Sequence, residues 1–382
     1  MNVVVIGGGI VGLATAYSLA DRGTDVVVCE KGSIGSGSTE RSAGGIRHQF
    51  STRVNVQLSR ESVRVWESFE EEFGIDIAYR RAGYLLLARE EATADAFETN
   101  VEMQNEEGVD SRLLSPEDAA AVCPELDAEK FCAATYCPTD GFADPHLALQ
   151  GFSQAATEAG AEIRTKTAVT AINTEDGEVV GVETEEDSLD ADFVVNAAGP
   201  WAGRVAEMAG LDLPVAPRRR QVAVVDPETP VPDDVPLTID LDTGSYFRPE
   251  REGSAIVGGH FAAEDPDVDP DGFDGNADLD WMIDAVEHAA DYAGYFGPET
   301  RIKRGWAGLY AVTPDHHPIV EETIPGFVNA IGFSGHGFQH APAVGQIVTE
   351  LVLDGDASLV DIEPLSSDRF DAGELHDEQN VA

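Results

Sequence analysis

The residues Val3-Val4-Val5-Ile6 lead into Gly7-Gly8-Gly9-Ile10-Val11-Gly12, and further on Val26-Val27-Val28-Cys29 ends at Glu30. Residues of these types at this spacing can hold the pyrophosphate and ribose of a dinucleotide. Gly7 permits a tight turn, and Gly9 lets backbone approach a pyrophosphate with no Cβ in the way. Gly12 lets the helix that follows pack close on the strand. The N-terminus of that helix offers free N–H groups and a partial positive charge to phosphates. Glu30 can accept hydrogen bonds from ribose hydroxyls, and its charge disfavours a 2′-phosphate. A glycine-rich turn alone is often only a turn. Here two apolar strands, a helix and a terminal acid stand around it in fingerprint order.

The elements that must position this site follow along the chain. Residues 51–73 read as a helix in which Trp66, Phe69 and Phe73 recur at core-packing spacing. Tyr84-Leu85-Leu86-Leu87-Ala88 reads as a strand, and Ser115-Pro116-Glu117-Asp118 as a capped helix start. A helix from Pro145 leads to strands near 168–172 and 179–183, joined by an Asp176-Gly177 turn. Phe193-Val194-Val195 runs into Asn196-Ala197-Ala198-Gly199-Pro200-Trp201, a further strand-to-helix junction. Residues 215–259 alternate like antiparallel sheet, 277–293 read as a helix, and Phe327 to Leu353 form a last strand-turn-helix unit. The expected fold is α/β and α+β: a Rossmann-like domain assembled from 1–80, 140–212 and 312–370, with an inserted mixed or antiparallel sheet domain from 81–139 and 213–311. Residues 371–382 read as a frayed acidic tail.

The composition narrows the partners. With 24 basic against 71 acidic residues the net charge is −47, and Lys31, Lys130, Lys166 and Lys303 are the only lysines. Such a surface argues against nucleic acid and anionic membrane as partners. The acids are spread through the chain, which points to adaptation to a very salty, halophilic cytoplasm, where screening removes self-repulsion. Cys29, Cys123, Cys132 and Cys137 show no paired spacing, so neither a zinc site nor a disulfide framework is expected. Residues 2–20 lack a basic n-region and are interrupted by glycines, unlike a signal peptide. No stretch reaches transmembrane length, and a soluble, cytoplasmic protein is expected. Asp267-Val268-Asp269-Pro270-Asp271-Gly272 with Asp278 matches part of a calcium loop. Pro270 inside it, an Asp at the twelfth position and no preceding amphipathic helix argue against a metal site. Arg218-Arg219-Arg220 read as a strand start whose arginines pair with surface acids.

Three segments together carry a resemblance: the N-terminal fingerprint, Asn196 to Ala202, and the run from Trp306 through Thr313-Pro314-Asp315 to Gly332-Phe333-Ser334-Gly335-His336-Gly337-Phe338. In this combination the chain resembles the FAD-dependent amino-acid oxidoreductases of the D-amino-acid oxidase superfamily, nearest the sarcosine oxidases and archaeal proline dehydrogenase catalytic subunits. The resemblance covers nearly the whole chain. It implies FAD rather than NAD, and oxidation of a small amino acid, such as sarcosine or proline, by hydride transfer from the α-carbon to flavin N5, giving an imine that hydrolyses. It also implies an electron acceptor, either oxygen or a redox partner, and leaves room for other subunits of a hetero-oligomer.

Residue by residue, the resemblance makes Arg47 the substrate-carboxylate clamp; its planar fork suits a carboxylate, though an arginine paired to a surface acid is the plainer alternative. Tyr310 matches the active-site tyrosine of this branch, where D-amino-acid and glycine oxidases place an arginine. His260 matches a histidine beside the substrate amine, or is a core histidine. Arg248 is a second clamp or a structural residue. FAD contacts are implied at Gly7, Gly9, Gly12, Glu30 and Lys31, at Ser42, Ala43 and Gly44, at Val169, and at Ala198, Gly199 and Trp201. They are also implied at Gly308, Gly335, His336, Gly337 and Phe338. The last helix starts here, and its N–H groups can face the flavin edge that becomes negative on reduction.

Departures from the family pattern matter as much. The cysteine that binds flavin covalently in monomeric sarcosine oxidases falls at Gly308, so non-covalent FAD is expected. Their oxygen-activating lysine falls at Ile256, and their second carboxylate-binding lysine at Gln339. Losing both cations points to a dehydrogenase rather than an oxidase. Two other functions stay open: a 2-hydroxy-acid or glycerol-3-phosphate dehydrogenase on the same fold, and an FAD-carrying subunit of a larger complex.

Overall fold

In the computed structural model, which describes residues 1–262, 264–373 and 375–381, the chain builds two large sheets that face one another across a cavity. The first sheet has six strands. Its centre is β1 (Asn2–Ile6), which pairs in parallel with β2 (Asp25–Glu30) on one side and Phe193–Asn196 on the other. Phe327–Ile331 and Glu162–Thr165 extend it in parallel, and Ile319–Ile324 closes one edge antiparallel. The unbroken valine runs suit strands covered on both faces.

Helix α1 (Ile10–Asp21) follows the glycine turn and packs against helices Pro145–Glu158 and Gly337–Asp354. A Cβ at Gly345 would lie 2.7 Å from the Ala14 carbonyl carbon, so these helices meet backbone to backbone. Helix α2 (Arg53–Phe73) buries Trp66, Phe69 and Phe73, as their spacing implies, in an aromatic cluster with Phe152 and Phe338. Trp66 stacks on Phe338 at 5.1 Å, and its indole N–H donates to the Gln339 carbonyl at 2.9 Å. The core is thereby tied to the start of the last long helix.

The second sheet has eight strands, with Ala216–Asp226 and Arg301–Val312 forming its long antiparallel ribbon. Its other strands include Tyr84–Ala88, Leu237–Asp240, Ser245–Pro249 and Ala255–Gly259. The two-residue period sorts its faces. Ala223, Val225, Phe247 and Val257 pack under helix Leu279–Tyr292, whereas Arg220, Val222, Tyr246, Gly308 and Tyr310 turn to the cavity. Ser115 caps helix Pro116–Val122, its hydroxyl accepting from Asp118 N at 3.1 Å.

One expectation meets a different outcome in part. Within the C-terminal acidic stretch, Glu378 is 1% and Asn380 3% exposed, so these two residues are held in the fold. The Glu378 carboxylate takes N–H and O–H donors at the start of α2, and a helix N-terminus welcomes an anion. The calcium-like loop is held by cations of the protein itself. Arg218 pairs with Asp267, Arg204 with Asp269 and Asp271, and Arg219 with Asp278, at 2.7–2.9 Å.

Candidate active site

A cavity of about 510 Å³ lies between the carboxyl ends of β1 and β2 and the inner face of the second sheet. Ligands of open α/β sheets bind at this edge. Gly7 has φ +115°, and a Cβ there would meet the Ala197 oxygen at 2.5 Å. Gly9 and Ile10 open α1 on the cavity; Ile10 N donates to Thr39 Oγ1 at 3.1 Å, and no side chain of Gly9 closes the helix end. Gly12 does not line the cavity. A Cβ on it would sit 2.0 Å from the Gly7 oxygen, so it acts by letting α1 close on the turn.

Glu30 serves the turn as well as the cavity. Its carboxylate accepts from Gly8 N at 2.8 Å and Gly32 N at 2.6 Å. Beyond it, Lys31 Nζ lies 3.7 Å over the Trp201 ring, and Asp271 joins Lys31, Trp201 Nε1 and Arg204 across this end. Val169, Ala198 and Gly199 line the same end. Ser42 and Ala43 line the middle; Gly44 does not, since it packs on the Ala143 carbonyl with φ +74°.

A second helix aims its N-terminus into the cavity. Gly335, His336, Gly337 and Phe338 line the wall, and helix Gly337–Asp354 has no side-chain cap. Its first-turn N–H groups are therefore free to meet an acceptor. Gly335 has φ +94°, and a Cβ there would lie 2.4 Å from the Tyr310 ring. Two helix N-termini whose own cap residues supply no side-chain cap, a glycine cradle and the terminal acid of β2 face one cavity, a set of groups that fits FAD.

The comparisons agree. The sequence matches the family DAO, FAD dependent oxidoreductase, over residues 2–351. The chain belongs to this family of FAD-dependent oxidoreductases. It is 32% identical to FAD-dependent oxidoreductase domain-containing protein 1 of Xenopus laevis, over 100% of this chain and 84% of that protein. It is 29% identical to human mitochondrial dimethylglycine dehydrogenase over 95% of this chain but 44% of that protein. Among solved structures, L-proline dehydrogenase from P. horikoshii superposes with a TM-score of 0.89 at 35% identity, covering 98% of this chain and 99% of that one. Glycine oxidase from Geobacillus kaustophilus does so at 0.83 and 25%, covering 95% and 97%. The protein is thus an FAD-dependent enzyme of amino-acid oxidase and dehydrogenase type.

At the far end of this flavoenzyme's cavity stand Arg47, Tyr310 and Gln339. Arg47 is 5% exposed and stacks on Phe50 at 4.4 Å; burial pulls its pKa down. Among the described residues no carboxylate forms an ion pair with it and its Nε has no hydrogen-bond partner, while Nη2 lies 3.4 Å from His336 Nε2. Gln339 Oε1 accepts from Arg47 N at 2.8 Å, fixing the backbone from which the guanidinium projects. Asp140, 0% exposed, holds the next residues, accepting from His48 N at 3.0 Å and Gln49 Nε2 at 3.4 Å, with His48 Nδ1 at 2.6 Å. With Cys137 these two form a buried group of metal-ligand type, but Asp140 is already engaged by the neighbours of Arg47 and reads as a brace.

Besides Gly12 and Gly44, two further sequence assignments are not brought to the cavity. Arg248 turns away: it stacks on Phe142 at 4.5 Å, donates to the Ala43 and Pro249 carbonyls and pairs with Glu250 at 3.1 Å. It braces the loop that carries Ser42 and Ala43 and does not line the cavity. His260 does not line the cavity either; it lies 3.9 Å from Asp265, and burial followed by the Arg220 charge lowers its pKa.

Residues that were not singled out take part instead. Tyr84, Leu237, Ile239 and Tyr246 complete the far wall, and Arg220 and Arg41 also line the cavity. The alternation of Leu237 and Ile239 in a strand was the only available signal for the apolar wall. Arg220, read as one of three arginines facing acids, does pair with Asp265 at 2.7 Å, yet it also lies 5.4 Å from the Tyr310 ring centroid. Ile256 is buried among Val222, Val224 and Tyr246. No helix among the described residues is long and apolar enough to cross a membrane.

Proposed function

We propose that this enzyme oxidises a small amino acid whose amine is secondary, of the sarcosine or proline kind, with Arg47 holding the substrate carboxylate. The observation that carries the reading is Arg47 itself. A buried guanidinium with no anionic partner among the described residues is costly, and an anion arriving in the cavity relieves that cost. An Nε–H without a partner among the described residues, beside a partly used Nη1, leaves donors for a carboxylate. The similarity to L-proline dehydrogenase over nearly the whole chain supports the substrate class.

When bound, FAD supplies the acceptor for the hydride that leaves the substrate α-carbon, and the resulting imine hydrolyses in water. The chain's own residues do the rest. Leu237 and Ile239 give the substrate an apolar wall, with Tyr84, Tyr246 and Tyr310 around it. Such a wall suits a methyl group or a small ring better than a charged side chain. Burial raises the Tyr310 pKa, so its hydroxyl stays protonated and donates rather than abstracting a proton. His336 is fully buried with its pKa well below the ordinary value, through burial first and the Arg47 charge second. It therefore meets the site as a neutral imidazole. The open first turn of helix Gly337–Asp354 favours negative charge developing beside it.

Gly308 has no side chain to form a thioether, which supports non-covalent FAD. Gln339 is neutral, Arg220 is matched by Asp265, and Arg41 lies 2.8 Å from Glu40. Apart from Arg47, which the substrate carboxylate would neutralise, these positions offer little unbalanced positive charge to superoxide, which favours a dehydrogenase passing electrons to a redox partner.

The test is anaerobic titration of the FAD-loaded enzyme with sarcosine, L-proline, glycine, D-alanine and 2-hydroxyglutarate, followed by flavin absorbance. Bleaching by L-proline or sarcosine, slow recolouring in air, and release of the flavin by acid are expected. Arg47→Met should weaken that bleaching by roughly 10–100-fold in substrate concentration, from one or two lost charge-assisted hydrogen bonds. Bleaching by 2-hydroxyglutarate alone would overturn the amine reading.

A further inference from the structure

We propose that residues 377–381 form a positioning strap that sets the Arg47 guanidinium from behind, so that carboxylate affinity depends on a segment outside the cavity wall. The inference rests on the carboxylate-holding role proposed for Arg47.

The strap has a firm anchor. The buried Glu378 carboxylate accepts from Ser51 N and Ser51 Oγ at 2.7 Å, Thr52 Oγ1 at 2.8 Å and Asn55 Nδ2 at 3.0 Å. These donors lie where α2 begins, so charge-assisted hydrogen bonds and the helix dipole act together. Backbone bonds add to them: Glu378 N donates to the Asp315 carbonyl at 3.1 Å and Gln379 N to Ser51 Oγ at 2.8 Å. His316 Nδ1 lies 2.9 Å from Asp377 Oδ1 at the outer end.

From this anchor the chain reaches Arg47. The Asn380 carbonyl accepts from Arg47 Nη2, and Asn380 Nδ2 donates to the Gln49 carbonyl at 3.1 Å. That same carbonyl accepts from Arg47 Nη1 at 3.4 Å. Guanidinium, Gln49 and Asn380 thus close a ring of hydrogen bonds, with the Phe50 ring against the guanidinium. None of the described strap residues lines the cavity, whereas Arg47 does. The strap therefore grips the arginine from outside the cavity wall, at the Nη2 that also lies 3.4 Å from His336 Nε2, and leaves Nε without a partner among the described residues. Without it, Nη2 would keep only the long 3.4 Å contact to His336 Nε2, and a long flexible side chain would lose its preset direction. Preset direction is what makes a guanidinium fork effective toward a carboxylate.

The experiment uses the FAD-loaded enzyme, a chain truncated after His376, and the variants Glu378→Gln and Asn380→Ala. Each is titrated with pyrrole-2-carboxylate and with pyrrole, and binding is read from the change in flavin absorbance. The truncated chain should bind pyrrole-2-carboxylate about tenfold or more weakly, as befits one misaligned charge-assisted contact. Pyrrole, which has no carboxylate, should change by less than about twofold on the same scale. Glu378→Gln puts a donor among donors and should follow the truncation, and Asn380→Ala, which keeps the carbonyl but loses its tether, should fall between. These two variants keep the test open if the truncated chain does not fold. Equal losses for both ligands would mean a merely structural segment and would overturn the strap. Unchanged or tighter carboxylate binding would overturn it too. If the unaltered enzyme itself fails to prefer pyrrole-2-carboxylate, the role of Arg47 falls, and the strap with it; if it discriminates and the truncated chain does so equally, the strap alone falls.

Discussion

Replacing Gly12 by alanine adds one methyl group at the tightest point of the dinucleotide cradle. That carbon would lie 2.0 Å from the Gly7 oxygen and 3.1 Å from the Gly7 carbonyl carbon, whereas ordinary contact begins near 3.4 Å. The Gly7 oxygen cannot yield, because it belongs to backbone fixed by the Gly7 N to Cys29 O bond at 3.0 Å. Helix α1 must retreat by about 1 Å, and it does so against Gly345, which already touches its backbone. A retreat of that size stretches a hydrogen bond at the helix N-terminus from about 2.9 Å to nearly 4 Å, past any useful length. Losing one or two charge-assisted bonds to pyrophosphate costs about 2–4 kcal/mol, or roughly 30–1,000-fold in affinity. The apoprotein of Gly12→Ala should be titrated with FAD by quenching of flavin fluorescence, beside a melting curve of the apo form. A weakened Kd with a folded apoprotein is expected. FAD affinity within about threefold of the unaltered protein, less than 1 kcal/mol, would refute the reasoning.

Other outcomes follow from separate observations. Gly335→Ala drives a methyl into the Tyr310 ring at 2.4 Å and strains a φ of +94°, so substrate bleaching should slow by at least about tenfold while the flavin remains bound. Burial alone would raise the Asp315 pKa, but its hydrogen bonds to Arg369 hold it below the ordinary carboxylate range. Its stabilising effect is therefore complete above the unfolded value near 3.8 and lost as pH falls through the lower folded one. Arg369→Met strands that buried carboxylate and should cost about 3 kcal/mol in urea unfolding at neutral pH. His340 is fully buried with a pKa of about 3, so it stays neutral in the fold while the unfolded chain binds a proton below 6.5. Stability should fall between these limits by up to ~1.4 kcal/mol per pH unit, and His340→Gln should flatten that slope in melting curves. With a net charge of −47, the melting temperature should climb between 0.1 and 2 M KCl, since screening removes self-repulsion; equal values would remove the case for salt adaptation.

The cradle was legible because its parts are local. Gly7, Gly9, Gly12 and Glu30 lie within one strand-helix-strand unit, where spacing along the chain and spacing in space are nearly the same thing. The apolar runs of β1 and β2 announced a buried parallel sheet for the same reason, and the spacing of Trp66, Phe69 and Phe73 announced a packed helix face. Arg47 was legible only through likeness to a family, since nothing near it in the chain distinguishes a clamp from any surface arginine.

What the tertiary structure alone decided was the direction of long side chains and the neighbours that hold them. Arg248 and Tyr246 share one face of a strand, yet the arginine is drawn to Phe142, Ala43 and Glu250 while the tyrosine meets the cavity. Arg220 reaches the cavity because Arg301–Val312 pairs beside it and sets it near Tyr310. Asp140 and Gln339 meet Arg47 and its neighbours from points 92 to 292 residues away. The acidic C-terminus looked solvated because its charge is obvious in sequence and its partners are not. Glu378 is buried by Ser51, Thr52 and Asn55, more than 320 residues earlier. Pattern along a chain reports which face of an element is apolar. Which charge finds which partner depends on the packing of distant elements, and only the folded chain determines that.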